Sequence, residues 1–303
     1  MAAIQRLARL ALASCAPSLA LQQAQALQQA QVPKDALRKF RKLAGGEWDN
    51  QSMSGPGSRV EVVKPFIQFF QGWLHNHSDV ASLVEASAGH WPSGWQQFMP
   101  WPELDYVGID LLPEVVKDLL ADRRFVREQG KLKFGLKSMR FRRGDMLNDT
   151  TLPPADLFFT KDTFIHFPNR FISQFLNQTA LSCPPKYKYV MFVQDFRPRA
   201  DYDYYNNTHT DIGKFGHYHG FDLKYPPFSL PVDTVFEWVS PHEERRHRRL
   251  VQVPPLQSRA KPASACPDGA GVLQPLVSLS PTRRWGIGRP PLGFTWLQTS
   301  FSS

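Results

Sequence analysis

The sequence predicts an α/β fold in which a mostly parallel central sheet carries helices on both faces. Two observations predict it. Short apolar runs of β type alternate, along the middle of the chain, with stretches whose apolar residues recur at helical spacing, which is the pattern of repeated βαβ units. The 303 residues are 42% hydrophobic, enough for a sizeable core. No apolar stretch approaches the roughly 18 residues of a membrane-spanning helix, so we expect none.

The elements are predicted in a regular order. Residues 64–75 carry an apolar stripe at helical spacing, and residues 80–86 form a short apolar run that predicts the first strand. The helix predicted at 113–122 has Pro113 in its first turn, a position that proline favours. The later predicted elements are a strand at 106–110, a helix at 113–122, strands at 137–142 and 156–160, a helix at 169–180 and a strand at 189–194.

Both ends of the chain differ from this middle. Residues 1–26 combine a basic start, an apolar run and a small-residue cleavage pattern, which predicts a signal peptide and leaves a transit peptide open. Residues 22–31 form an Ala/Gln-rich patch, and residues 27–53 are predicted to be a linker or helical spur. The folded domain is predicted to cover residues 54–240. Residues 241–303 are Pro-rich and basic without a sustained apolar period, so we expect a disordered tail.

Glycosylation sequons favour the secretory pathway. Five of the seven asparagines stand in N-x-S/T sequons, where average composition would give about one. We therefore expect a secreted or secretory-pathway glycoprotein, with mitochondrion, plastid and cytoplasm left open. After removal of the leader, Cys183 and Cys266 would allow one disulfide without requiring it. The sequons are at Asn50, Asn76, Asn148, Asn177 and Asn206.

The net charge of +9 and the pI near 9.5 are typical of proteins that bind nucleic acids. The charge is concentrated at the ends, because residues 241–303 hold nine basic and three acidic residues and residues 1–34 hold no acid. The predicted domain is nearly neutral. We therefore expect no nucleic-acid binding by the domain, and a basic nucleic-acid-binding protein remains only the second alternative.

Three predicted strands end beside residues that suit an adenosine-containing cofactor. Small residues from Ala86 to Gly89 follow the first strand and allow close approach to the backbone. Asp110 ends the second strand, where an acid can accept hydrogen bonds from both ribose hydroxyls. Asp145 and Met146 follow the third and offer an adenine ring an acceptor and an apolar face. Without a G-x-G-x-x-G pattern a pyrophosphate has little support, so S-adenosylmethionine fits better.

These features resemble the class I S-adenosylmethionine-dependent methyltransferases, and among them a little-characterised subgroup. The resemblance covers about residues 54–235 and implies a Rossmann-like methyltransferase sandwich. Five motifs carry it in order: Ser-Gly-x-Gly-Ser at 54–58, an acid before a small-residue turn at 85–90, Tyr-x-Gly-x-Asp at 106–110, Asp-x-x-x-x-Lys-Asp-x-x-x-His at 156–166, and Thr-Asp-Ile-Gly at 210–213 with Pro-Pro-Phe at 226–228.

The resemblance also implies roles for the matching residues. Asp162 lines the sulfonium end of the pocket, and Asp162 or His166 is the candidate base if the acceptor must lose a proton. No metal site is expected, since His217 and His219 lack Cys or carboxylate partners at zinc spacing. The implied cofactor-binding residues are Glu85 (near the methionine amino group), Ala86, Gly89, Asp110, Leu111, Asp145, Met146 and Lys161.

Two departures from the subgroup bear on these expectations. The Cys-Gly-Asp turn of the subgroup is Ala88-Gly89-His90 here, which removes an acid near the amino-acid part of the cofactor. The final Gly-Leu-Trp strand is not found in register, so we expect the last antiparallel hairpin to be missing and an edge of the sheet to be exposed. The predicted function is S-adenosylmethionine-dependent methyl transfer to an unidentified small molecule, glycan or protein side chain. A catalytically inactive protein of this fold with a binding or structural role is the first alternative.

Overall fold

A computed structural model describes residues 34–42, 54–121, 134–148, 152–180, 185–196, 215, 220–239 and 248–254. Seven strands and four α-helices lie in these segments. The helices are α1 (Lys34–Lys42), α2 (Val60–Asn76), α3 (Pro113–Ala121) and α4 (Asn169–Phe175). The strands are β1 (Ser82–Ala86), β2 (Asp105–Asp110), β3 (Ser138–Arg143), β4 (Ala155–Lys161), β5 (Tyr187–Phe196), β6 (Asp233–Val239) and β7 (Arg248–Val253).

The strands form one sheet in the order β3-β2-β1-β4-β5-β7-β6. The five strands from β3 to β5 are parallel, and β7 is antiparallel to both β5 and β6. The predicted fold class, a mostly parallel sheet between helices, is confirmed. The strand order reverses at β1, which pairs with β2 on one side and β4 on the other. In sheets of this kind, ligands bind at the carboxyl ends of the strands that flank such a reversal.

Aromatic side chains fill the core on the face covered by α2 and α3. The buried residues of α2 recur every three or four positions, so one stripe of the helix lies on the sheet. The Phe66 ring of that stripe stacks 5.9 Å from Phe159 of β4 and meets Trp95 edge-on at 5.2 Å. Phe70 packs 5.1 Å from the same Phe159 ring. Burial of such large apolar side chains contributes about 2–3 kcal/mol each and fixes α2 over the centre of the sheet.

The opposite face is covered by α4 and by residues 220–232. Phe175 of α4 packs 5.2 Å from Phe158 of β4. Gln252 of β7 holds residues 220–232 in place, because its Nε2 donates to Asp222 Oδ1 at 2.6 Å and its Oε1 accepts from Leu223 N at 3.2 Å. The sheet therefore has a packed core on both sides, as a parallel sheet requires.

The structure corrects two expectations about the end of the domain. The last antiparallel hairpin, expected to be missing, is present as β6 and β7. The strand β7 also lies inside residues 241–303, so the domain extends beyond its predicted boundary at residue 240. Strand β7 was missed because it follows a charged run, and because its backbone is satisfied by β6 and by β5, the latter distant in sequence. Of residues 241–303, the structure describes 248–254 only.

Helix α1 lies within residues 27–53 and packs across the end of the sheet. Ala36 is buried in the hydrophobic cluster of the α4 face, while Leu37 packs against the cluster of the α2 face. Phe40 packs against both. A helix that touches both faces must lie at a margin of the sheet. Among the described residues, no helix is long and apolar enough to cross a membrane.

Candidate functional site

The residues predicted to form the site converge at the carboxyl ends of β1 to β4. Each follows or ends one of four parallel strands that lie side by side, so the strand ends meet at a single edge of the sheet. Glu85 differs, because its side chain points into the α2 face. The predicted residues at this edge are Ala86, Gly89, Asp110, Leu111, Asp145, Met146, Lys161, Asp162 and His166.

The loop after β1, residues 87–90, has an unusual backbone. Ser87 and Gly89 both have positive φ, 59° and 62°. A non-glycine residue in this region is uncommon and recurs at ligand-binding turns. A Cβ on Gly89 would lie 2.6 Å from Ser54 Oγ, so only glycine fits beneath Ser54. The backbone of the loop is therefore closely packed against Ser54, and Gly89 places no side chain there.

Asp110 ties this loop to the end of β2. Its Oδ2 accepts a hydrogen bond from Gly89 N at 3.0 Å, and its Oδ1 accepts one from Leu112 N at 2.9 Å. Burial raises the pKa of the Asp110 carboxyl, while the backbone donors oppose that rise. Each carboxylate oxygen has a second lone-pair site beyond these bonds, so Asp110 keeps capacity to accept from a ligand.

The end of β3 adjoins the same loop. Gly144 N donates to Asp110 O at 2.9 Å, and the Asp145 carboxylate accepts from Leu147 N at 2.9 Å. Met146 is buried, and its sulfur lies 3.9 Å from Ser87 Oγ. The predicted acceptor and apolar face thus lie beside Asp110 and the β1 loop.

Glu85 lies in a buried hydrogen-bond network on the α2 face and is only 1% exposed. Its Oε2 accepts from Tyr106 OH at 2.5 Å, and its Oε1 accepts from Gln96 Nε2 at 3.0 Å. Trp91 Nε1 donates in turn to Tyr106 OH at 3.0 Å. Burial raises the pKa of Glu85 to about 8, although Tyr106 and Gln96 act to lower it. The carboxyl predicted to bind the methionine amino group thus already contacts two protein groups; that role stays a prediction.

The end of β4 carries a second turn with positive φ. Asp162 has φ 54°, and its backbone N donates to Val193 O at 2.9 Å. Its carboxylate forms a hydrogen-bonded ion pair with Lys161, whose Nζ also donates to Gly57 O at 2.8 Å. Lys161 therefore joins the end of β4 to the Ser-Gly-x-Gly-Ser motif and holds the Asp162 carboxylate beside it.

His166 lies in the 3-10 turn Phe164–His166 that follows β4, and its ring packs 6.4 Å from Phe40 of α1. On the other side, Arg41 of α1 pairs with Glu114 of α3 at 3.0 Å. Since Glu114 follows β2 and His166 follows β4, helix α1 extends across the carboxyl ends of the strands between them.

Three residues of the site were missed from the sequence. Ser54 Oγ accepts from His90 N at 2.8 Å, which gives the first serine of the Ser-Gly-x-Gly-Ser motif a role in holding the β1 loop. Tyr106 and Gln96 bind Glu85 as described above. The Ser-Gly-x-Gly-Ser motif was a signal for Ser54, and the Tyr-x-Gly-x-Asp motif contains Tyr106. Nothing local in the sequence indicates Gln96. Several predicted positions lie outside the described residues: Asn50, Cys183, Asn206, His217, His219 and Cys266.

No protein-family model matches the sequence, and no curated protein matches it. Solved structures of methyltransferases are similar to it in fold. One is magnesium protoporphyrin IX methyltransferase from Synechocystis PCC 6803 with bound SAH, at 15% identity and TM-score 0.41, covering 73% of this chain and 95% of that one. Another is an O-methyltransferase family protein from Burkholderia thailandensis, at 14% identity and TM-score 0.40, covering 65% and 58%.

Proposed function

We propose that this protein transfers a methyl group from S-adenosylmethionine to an acceptor, with the cofactor at the carboxyl ends of β1 to β4. One observation carries the proposal. The two strands that flank the reversal of strand order, β1 and β4, are each followed by a turn with positive φ, at Ser87 and Asp162. Strained turns of this kind persist where a site requires them, and this is the place where such sheets bind ligands.

The residues of the edge fit this cofactor in type. Asp110 can accept from ribose hydroxyls, and Asp145 with Met146 offers adenine an acceptor and an apolar surface. Gly89 has no room for a side chain, because Ser54 lies over it, and its backbone N holds the loop against Asp110. Ala86 ends β1 and Leu111 follows β2 at the same edge of the sheet.

Bound at this edge, S-adenosylmethionine supplies a methyl group on a positively charged sulfur. The protein has to align the acceptor with that group and exclude water, and such positioning can supply about 7–11 kcal/mol of the barrier. The Asp162 carboxylate, held beside Lys161, favours a nearby cation by charge. Where the acceptor loses a proton, that proton passes to the carboxylate of Asp162 or to the imidazole of His166. The acceptor is a small molecule, a glycan or a protein side chain.

Calorimetric titration of the purified full chain with S-adenosylhomocysteine, the product form of the cofactor, tests the proposal. We expect saturable heat and a rise in melting temperature with ligand concentration, because a ligand that binds only the folded state stabilises it. Absence of both would contradict the proposal and favour the inactive alternative, in which the changes at Ala88 and His90 have abolished cofactor binding. The nucleic-acid alternative depends on the basic residues after 240. Because β7 is part of the sheet, its test is the deletion of residues 255–303 only, and loss of all nucleic-acid binding would locate it there.

We also propose passage through the secretory pathway, supported by the pattern of residues 1–26 and by the sequons. Asn76, at the end of α2, is exposed, which places one sequon where a glycan can be accommodated. Treatment of the protein from secreting eukaryotic cells with an N-glycosidase should lower its mass, and Asn76→Gln should remove one glycan. Residence in the cytosol with no mass change would contradict this proposal.

A further inference from the structure

Aromatic side chains fasten the segment between β1 and β2 to the sheet. We call residues 91–98, which form two short 3-10 turns, the aromatic turns. The ring of Trp91 packs 5.0 Å from Tyr106 of β2, and the ring of Trp95 packs 5.2 Å from Phe66 of α2. Both tryptophans are fully buried. The aromatic turns are therefore fixed by packing to β2 and α2, and a hydrogen bond from them can hold the neighbouring loop after β1.

One side chain reaches from the aromatic turns to the β1 loop. Gln96 is 3% exposed, and its Nε2 donates to Ala88 O at 2.7 Å and to Glu85 Oε1 at 3.0 Å. These two bonds use both amide hydrogens of the side chain. Gln96 thus joins the end of β1 to the middle of the loop that follows it.

The loop requires support at this point. Ala88 lies between Ser87 and Gly89, which both have positive φ. A backbone of this kind persists only when its surroundings over-determine it. Ala88 is held at both ends, because its N donates to Ile109 O at 3.0 Å and its O accepts from Gln96. Gln96 supplies the second of these bonds from the aromatic turns.

We infer that Gln96 is a positioning residue for cofactor binding, an inference that rests on the proposed function. Gln96 holds Ala88 in place, and with it the positive-φ residues on either side, Ser87 and Gly89. It acts through Ala88 and Glu85 and does not itself contact the ligand. The loop lacks the acid that the resembling subgroup has at position 90, and His90 Nδ1 lies instead 2.9 Å from Ser93 Oγ. The amide of Gln96 anchors the loop from its buried side.

The substitution Gln96→Met tests this, because it removes both donors and preserves the length of the side chain. We expect the affinity for S-adenosylhomocysteine to fall by about tenfold, measured by calorimetry at a temperature where the variant is folded. Amide hydrogen exchange in residues 86–90 should become faster, while exchange in β5 stays unchanged. The control is Gln97→Met, since Gln97 Nε2 donates to Pro92 O within the aromatic turns instead. Its affinity should stay within about twofold of wild type.

A second variant covers the case in which Gln96→Met fails to fold. Gln96→Glu keeps the shape but, when ionised, presents an acceptor to Ala88 O, which cannot donate. Its affinity should be weak at neutral pH and recover partly on acidification, because a protonated carboxyl can donate again.

The outcomes separate this inference from the function on which it rests. Unchanged exchange in residues 86–90 would overturn the positioning role, and faster exchange with unchanged affinity would overturn its link to binding. If the wild type binds no S-adenosylhomocysteine, the proposed function fails and the link to binding fails with it. The exchange comparison then still decides whether Gln96 holds the loop.

Discussion

Asp110, the last residue of β2, accepts a 3.0 Å hydrogen bond from the backbone N–H of Gly89, which lies in the loop after β1. The bond joins the ends of two neighbouring parallel strands through a residue that is 9% exposed. It places a carboxylate and a bare stretch of backbone side by side at the carboxyl edge. The adenosine-binding role proposed for this edge depends on that pairing.

Asp110→Ala should weaken the binding of S-adenosylhomocysteine by about tenfold or more, because it removes acceptors for the ligand and for Gly89 N. Calorimetry measures the change, and circular dichroism confirms that the variant is folded. Asp118→Ala, an exposed acid on α3, serves as the control and should bind as the wild type does. Equal affinities for all three proteins would count against the site as described.

Gly89→Ala should weaken the same binding and lower the melting temperature. Its φ of 62° is disfavoured for alanine by about 1 kcal/mol, and the added Cβ would lie 2.6 Å from Ser54 Oγ. Thermal unfolding with and without S-adenosylhomocysteine measures both effects. A variant as stable and as strongly stabilised by ligand as the wild type would show that the loop accommodates a side chain.

Gly108→Ala should destabilise the protein by about 1–3 kcal/mol through overpacking. An added Cβ on β2 would lie 2.7 Å from Cδ1 of the Phe141 ring on β3, and a buried ring cannot easily withdraw. Gly72→Ala is the matched control, because nothing lies within 4 Å of its added Cβ on α2. That change should stabilise the helix by about 0.5–1 kcal/mol. Urea unfolding compares the two, and a similar effect for both would exclude the packing explanation.

Stability should fall as pH rises from about 5 to about 8, in part through Glu85. Burial raises its pKa to about 8 from the ordinary 4.5, so the folded protein retains a proton that the unfolded chain releases. The resulting stabilisation is complete below about pH 4.5 and is lost as pH rises through about 8. Asp110, whose pKa burial also raises, contributes in the same direction.

Glu85→Gln removes this titration and should flatten the decline. Melting temperatures of the wild type and the variant, measured across that pH range, make the comparison. Parallel curves for the two proteins would show that Glu85 is ionised in the folded state at neutral pH.

Gln194→Met should raise the free energy of unfolding by about 1 kcal/mol. Gln194 on β5 is fully buried, and in the part of the chain that the structure describes neither side-chain amide atom has a hydrogen-bond partner. Gln252→Met is the matched control: Gln252 is equally buried but bonded to Asp222 and Leu223, so that change should lower stability by about 1–3 kcal/mol. Urea unfolding measures both, and a loss of stability at Gln194 would contradict the expectation.

Much of the fold follows from local patterns in the sequence. The apolar runs predicted β1, β2, β4 and β5 to within about two residues, because a buried parallel strand must be apolar along its length. The positions of Asp110, Asp145 and Asp162 at one edge followed from topology, since parallel strands end on the same side.

The tertiary structure decided what depends on contacts between distant residues. The sequence of β7 carries too weak a pattern to predict a strand, and its pairing with β5 and β6 supplies the hydrogen bonds that make it one. The position of Phe40 against His166 arises only when α1 packs across the folded sheet. The role of Glu85 toward a ligand stays a prediction, but only the fold shows that Tyr106 and Gln96 reach its two oxygens. A strand pattern indicates the position of a residue on the sheet. The groups that its side chain contacts depend on which other elements pack against that face.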